Sequence, residues 1–167
     1  MRRRVLFAST LAAVVAAGGL AVTAAQANQG RHVQSSATTR INQAAPQITV
    51  VERAVSDTVV DVGPTGDSRG DLLAFANPVY NRTNSNKVGR DQGSCIRTVV
   101  GKAWQCSFTT WLAKGSLVVE GPFYDSRDSV LAITGGTGSY SRARGAMHLH
   151  ARNAKGTLFS FRFTVLN

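Results

Sequence analysis

The clearest pattern lies near the C-terminal end. Phe159, Phe161, Phe163 and Val165 alternate with Ser160, Arg162 and Thr164. A two-residue period puts the apolar set on one face and the polar set on the other, as in an antiparallel strand buried on one side. Upstream, Val, Ile, Thr and Phe recur in short runs punctuated by Gly, Asn, Asp and Ser. Residues 47–55, 57–62, 70–80, 94–100, 102–112, 116–120, 129–134, 143–150 and 157–166 read as strands, and 81–86 as a loop. No long segment after residue 27 carries a 3.6-residue apolar stripe, so the fold class is all-β. Eight or nine short strands in about 120 residues suit a sandwich or a closed barrel, and the pattern does not choose between them.

The first 46 residues read differently. Arg2, Arg3 and Arg4 precede an alanine-rich apolar run that ends in Ala25-Gln26-Ala27. A charged start, an apolar middle and a small-x-small end describe a secretory signal peptide over residues 1–27. Gly18, Gly19, Ser9, Thr10 and Thr23 interrupt the run and weaken it as a permanent membrane span. Residues 28–46 lack aromatics and any apolar period, and read as a flexible leader. The domain is then 47–167. The expected location is secreted, with no membrane association after cleavage.

Charge changes the picture less than it first suggests. Loss of three arginines with the signal segment lowers the formal charge from +10 to +7. The remaining basic residues are scattered, without runs or interleaved aromatics. No nucleic-acid partner is expected, and a solvated basic surface accounts for the charge.

The two cysteines carry a geometric clue. If Val100-Gly101 is a two-residue hairpin loop, Val99 faces Lys102, and the same pairing sets Cys95 directly opposite Cys106. Facing Cα atoms in an antiparallel pair lie about 4.5 to 5.5 Å apart, within the span of a disulfide. Secretion favours oxidation. Two buried thiols, or a longer turn that breaks the register, are the alternative.

Other motifs carry less. Ile133 to Tyr140 is glycine-rich but lacks the Gly-Lys-Ser/Thr of a phosphate loop and the third glycine of a dinucleotide motif. His148 and His150 share a strand face, but a metal site needs further ligands. No metal and no cofactor are expected. There is no Gly-x-Ser-x-Gly elbow. Glu52 stands out because it lies in the apolar run Ile48-Thr49-Val50-Val51-Glu52. Pointing inward, it would have a raised pKa and act as an acid or steer a cationic centre; pointing outward, it is a rim residue.

The run Gly70-Asp71-Leu72-Leu73-Ala74-Phe75-Ala76-Asn77-Pro78-Val79-Tyr80 resembles the Gly-Asp-Leu-x-x-Phe-x-Asn-x-Leu-Tyr segment of plant allene oxide cyclases. Gly93-Ser94-Cys95-Ile96, Gly121-Pro122-Phe123 and Leu131-Ala132-Ile133-Thr134-Gly135-Gly136 follow in the order of similar cyclase motifs. The stretches from Val88 to Gly93 and from Gly135 to Gly145 also resemble plant dirigent proteins. The resemblance covers roughly residues 48–166. It implies an eight-stranded antiparallel β-barrel around an apolar cavity, and often a dimer or trimer. It also implies roles for residues. Asn77 matches a cyclase asparagine that helps hold a water near the epoxide, and Glu52 is the only glutamate on the first strand. Ala54 stands where a nearer asparagine would be, no Ser-Pro pair follows, and an alternative register places Thr49 at the glutamate position.

Both branches of the resemblance imply steric control: an apolar cavity folds a reactive substrate into one near-attack shape, and a few polar groups stabilise developing charge. Glu52 and Asn77 are the candidate catalytic residues. Phe75, Tyr80, Phe108 and Phe161 are candidates for lining the cavity, with strand parity to decide which of them face inward. The expected partner is a small apolar intermediate whose cyclisation or stereoselective coupling is steered. A non-catalytic ligand carrier or envelope-binding module is the alternative.

Overall fold

A computed structural model describes residues 45–166. The expected signal segment and nearly all of the expected leader lie outside the described residues. The strands are β1 (Gln47–Arg53), β2 (Thr58–Val60), β3 (Leu72–Asn81), β4 (Lys87–Val99), β5 (Ala103–Leu112), β6 (Gly115–Tyr124), β7 (Ser129–Gly136), β8 (Arg144–Ala151) and β9 (Leu158–Leu166). Every pairing is antiparallel, and the order runs β1-β9-β8-β7-β6-β5-β4-β3-β2. A further β1–β3 pairing closes eight of the strands into a barrel, which settles the choice between sandwich and barrel.

The seam of this closure is interrupted. β1 and β2 pair with opposite ends of β3: Glu52 faces Val79, while Val60 faces Leu72. The register shifts by one residue between the two pairings, so the chain from Ala54 to Asp57 leaves the edge of β3 and returns. Asn77 on β3 lies opposite this gap.

Several sequence expectations changed in detail: β6 runs on to Tyr124 beyond the 116–120 run, and β2 keeps only Thr58–Val60 of the 57–62 run. β4 is longer than the 94–100 run, because its first half, Lys87 to Gly93, looks like a polar, glycine-rich loop. The glycine at position 93 is a packing requirement: a Cβ there would lie 2.3 Å from Cβ of Phe108. The β4–β5 hairpin also differs. Val99 faces Ala103 rather than Lys102, so the loop has three residues, with Gly101 at φ 64°. A register shift between Arg97 and Val99 absorbs the extra residue. Cys95 therefore still faces Cys106, and the two form a disulfide.

The inward faces form one core. Leu117, Val119, Leu131, Ile133, Met147, Phe163 and Val165 are buried together, each contributing roughly 1.5–3 kcal/mol for the larger side chains. They fill the middle of the barrel and the end where β9 finishes. At the other end Arg97 is buried over the Trp104 ring, 3.9 Å away. It is held by Asp67 at 2.6 Å and Asp125 at 2.7 Å, which ties the β2–β3 loop to the β6–β7 loop. A buried guanidinium is tolerated because it is paired in this way.

Candidate active site

The inward faces of β1, β3, β4, β5, β6, β8 and β9 leave a cavity of about 60 Å³ toward the Arg97 end. Its wall is aromatic. Phe75 and Phe108 meet edge to face at 5.5 Å, and Phe108 meets Phe161 at 5.6 Å. The Cys95–Cys106 disulfide also forms part of the wall. Three of the four aromatic residues read from the sequence, Phe75, Phe108 and Phe161, line this cavity. Tyr80 does not. It follows inward Val79 on β3 and faces the opposite side, where the Arg53 guanidinium stacks 3.7 Å over its ring.

Glu52 is the buried carboxyl group of β1. It ends the apolar face that starts at Ile48 and Val50, and β1 seats it between Val79 and Phe159. It is only 5% exposed and reaches the cavity. Asn77 donates through Nδ2 to Glu52 Oε1 at 2.7 Å and to Asp57 Oδ1 at 2.7 Å. Its Oδ1 accepts from the backbone N–H groups of Val55 and Ser56 at 2.9 and 3.0 Å, and from Ser56 Oγ at 3.1 Å. Both amide hydrogens and the oxygen are thus engaged by protein. Asn77 bridges the seam and aims Glu52; in contrast with the role implied by the cyclase resemblance, it is a positioning residue with no donor left for a water.

The cluster extends beyond the residues singled out in the sequence. Asp57, at the exposed end of the gap, also lines the cavity. Asp91 on β4 faces Asn77 on one side and Thr110 on the other. Asp91 and Thr110 are fully buried; Thr110 Oγ1 has no hydrogen-bond partner, and the Asp91 carboxyl meets no other donor but shares a hydrogen bond with the Glu52 carboxyl when one of the two is protonated. Burial pushes the Glu52 carboxyl up to about 7, opposed by the Asn77 hydrogen bond and reinforced by the Asp57 charge. Asp91 is pushed further, to about 9, first by burial and then by neighbouring Glu52. Two carboxyl groups this close in an apolar interior do not both ionise. Asp91 keeps its proton at neutral pH, while Glu52 titrates near neutrality, where an acid catalyst is most useful.

The sequence pattern of the dirigent-like proteins matches residues 20–166. The chain belongs to the dirigent-like protein family. Solved structures agree on the fold. A pyocyanin demethylase is 22% identical, with a TM-score of 0.61 over 70% of this chain and 98% of that one. The pterocarpan synthase dirigent protein PsPTS1 is 17% identical, with a TM-score of 0.63 over 73% and 94%. An exo-specific intermolecular Diels-Alderase, AbnU, is 12% identical, with a TM-score of 0.59 over 74% and 98%. Neighbours that share this fold carry different named activities, so the chemistry rests on the residues inside.

Proposed function

We propose that this dirigent-like chain is a secreted barrel that binds a small, mostly apolar, conjugated intermediate and steers its cyclisation or stereoselective coupling. The observation that carries the reading is the buried Glu52–Asn77 hydrogen bond beside an aromatic-walled cavity. The neutral Glu52 carboxyl donates its proton to an oxygen on which negative charge develops as a ring closes. The incoming hydroxyl releases a proton, which returns to Glu52, so the net reaction is an isomerisation. The phenyl rings restrict the substrate to one folded shape, which is where stereoselectivity arises. Names of structural relatives that act on ring systems support the substrate class, and the disulfide supports an oxidising destination.

The test is chiral chromatography of products from a panel of conjugated phenols and quinone-methide precursors, with and without the protein. The wild type should give an enantiomeric excess on at least one precursor, at a rate that declines as pH rises through about 7. Glu52→Gln should lose the rate and keep binding. Racemic products throughout, with equal ligand binding by wild type and Glu52→Gln, would instead favour a non-catalytic carrier.

A further inference from the structure

A second hollow adjoins the first. The β6–β7 connection, 125–128, and the β8–β9 connection, 152–157, stand apart at the Arg97 end of the barrel. Between them lies a surface pocket of about 370 Å³. Three residues, Phe123, Leu149 and Phe159, line both this pocket and the inner cavity. The wall between the two spaces is therefore one side chain thick. Phe123 and Phe159 meet in it edge to face, 5.8 Å between centroids. The Phe159 ring reaches beneath the β8–β9 connection, where its tip would lie 3.8 Å from a Cβ added at Gly156.

The inner cavity alone is too small for the substrate class proposed above. At about 60 Å³, it falls well below the ~300–1,000 Å³ of typical small-molecule sites. The outer pocket supplies the missing room and is built for a flat molecule. The Arg127 guanidinium stacks 3.9 Å over the Tyr124 ring and presents a planar face there. The local carboxylates already have partners: Asp125 binds Arg97, and Asp128 binds His150 at 2.7 Å.

We propose that this outer pocket is the distal half of the binding site, and that Phe123 and Phe159 form a hinged partition that sets the length of substrate accepted. The substrate is then an extended aromatic molecule. Its reacting end lies beside Glu52 and its other ring lies between the two loops. The inference rests on the proposed use of the inner cavity for binding.

The experiment is a fluorescence titration of the oxidised protein with a short probe, 1-naphthol, and a longer one, N-phenyl-1-naphthylamine. Phe159→Ala should tighten the longer probe about tenfold relative to 1-naphthol, whose own site it also borders. Ala154→Trp, at an exposed loop position, should weaken the longer probe about tenfold and spare the shorter. Phe159→Leu gives the same direction with a smaller loss of packing, in case the alanine variant does not fold. If both probes shift together, or neither shifts, the partition is overturned while the inner cavity stands as a binding site. If the wild type binds neither probe, the cavity reading fails, and the proposal with it.

Discussion

At the scale of single residues, Asn77 holds the site together. One fully buried amide satisfies two carboxylates and two backbone N–H groups across the gap in the seam. Asn77→Ala would leave buried Glu52 without its donor and the Val55 and Ser56 N–H groups without their acceptor, with only Ser56 Oγ on the Ala76 backbone still tying that segment to β3. Each buried polar group left unpaired costs about 1–3 kcal/mol. Urea denaturation should therefore show a loss of about 2–4 kcal/mol, unlike the small loss expected for Ser107→Ala on an exposed hydrogen bond. Glu52 was legible in the sequence because a lone carboxylate in an apolar strand contradicts its surroundings. Asp91 was not. It sits between Gly89 and Gly93, in a run whose interior face is too small and polar to show an apolar period, although that face makes room for Phe108. Asp57 differs for another reason: the sequence reads it as the first residue of a 57–62 strand, whereas it lies in the gap before β2.

At the scale of elements, the β4–β5 hairpin shows how a pairing can be read correctly from a loop that is not. The extra loop residue and the register shift near Thr98 cancel, and everything from Arg97 back to Gly89 pairs as the two-residue loop requires. The strand register is set by which side chains must face the core, and a bulge is the local adjustment. The disulfide spans 11 residues, and a loop of that size corresponds to about 2–3 kcal/mol. The double substitution Cys95→Ala/Cys106→Ala should lower the unfolding free energy by that amount, read as a lower urea midpoint at a little-changed m-value. Far-ultraviolet circular dichroism should keep the strand signature, since the neighbouring β3–β4 and β5–β6 pairings do not depend on the bond.

At the scale of the whole molecule, strand number and the alternation on β9 were legible, while closure was not. Closure depends on which edges meet, and the β1–β3 contact joins residues far apart in the chain. Local pattern holds no record of it; the motif resemblance supplied it. The buried acids give the barrel an unusual pH dependence. Glu52 and Asp91 bind protons more tightly folded than unfolded. Between the ordinary carboxylate pKa of about 4 and their raised values, the folded state carries more protons than the unfolded chain. Stability must then fall as pH rises through that window. Asp71 acts in the opposite sense below it. The backbone N–H groups of Ser68 and Val62 hold its carboxyl down, so its contribution is lost as the solution becomes strongly acidic. Calorimetry should place the maximum Tm on the mildly acidic side of neutrality, with a decline toward pH 9 that Asp91→Asn flattens.

The disulfide described above as a staple is also a stretch of cavity wall. Cys95 and Cys106 line the same space as Phe75, Phe108 and Glu52. Protein with the two cysteines reduced would therefore fold into nearly the same barrel and still present two thiols where the oxidised chain presents one bonded surface. The choice of production host thus becomes a choice of cavity wall, and an inactive preparation of the reduced protein would say nothing about the activity of the oxidised one.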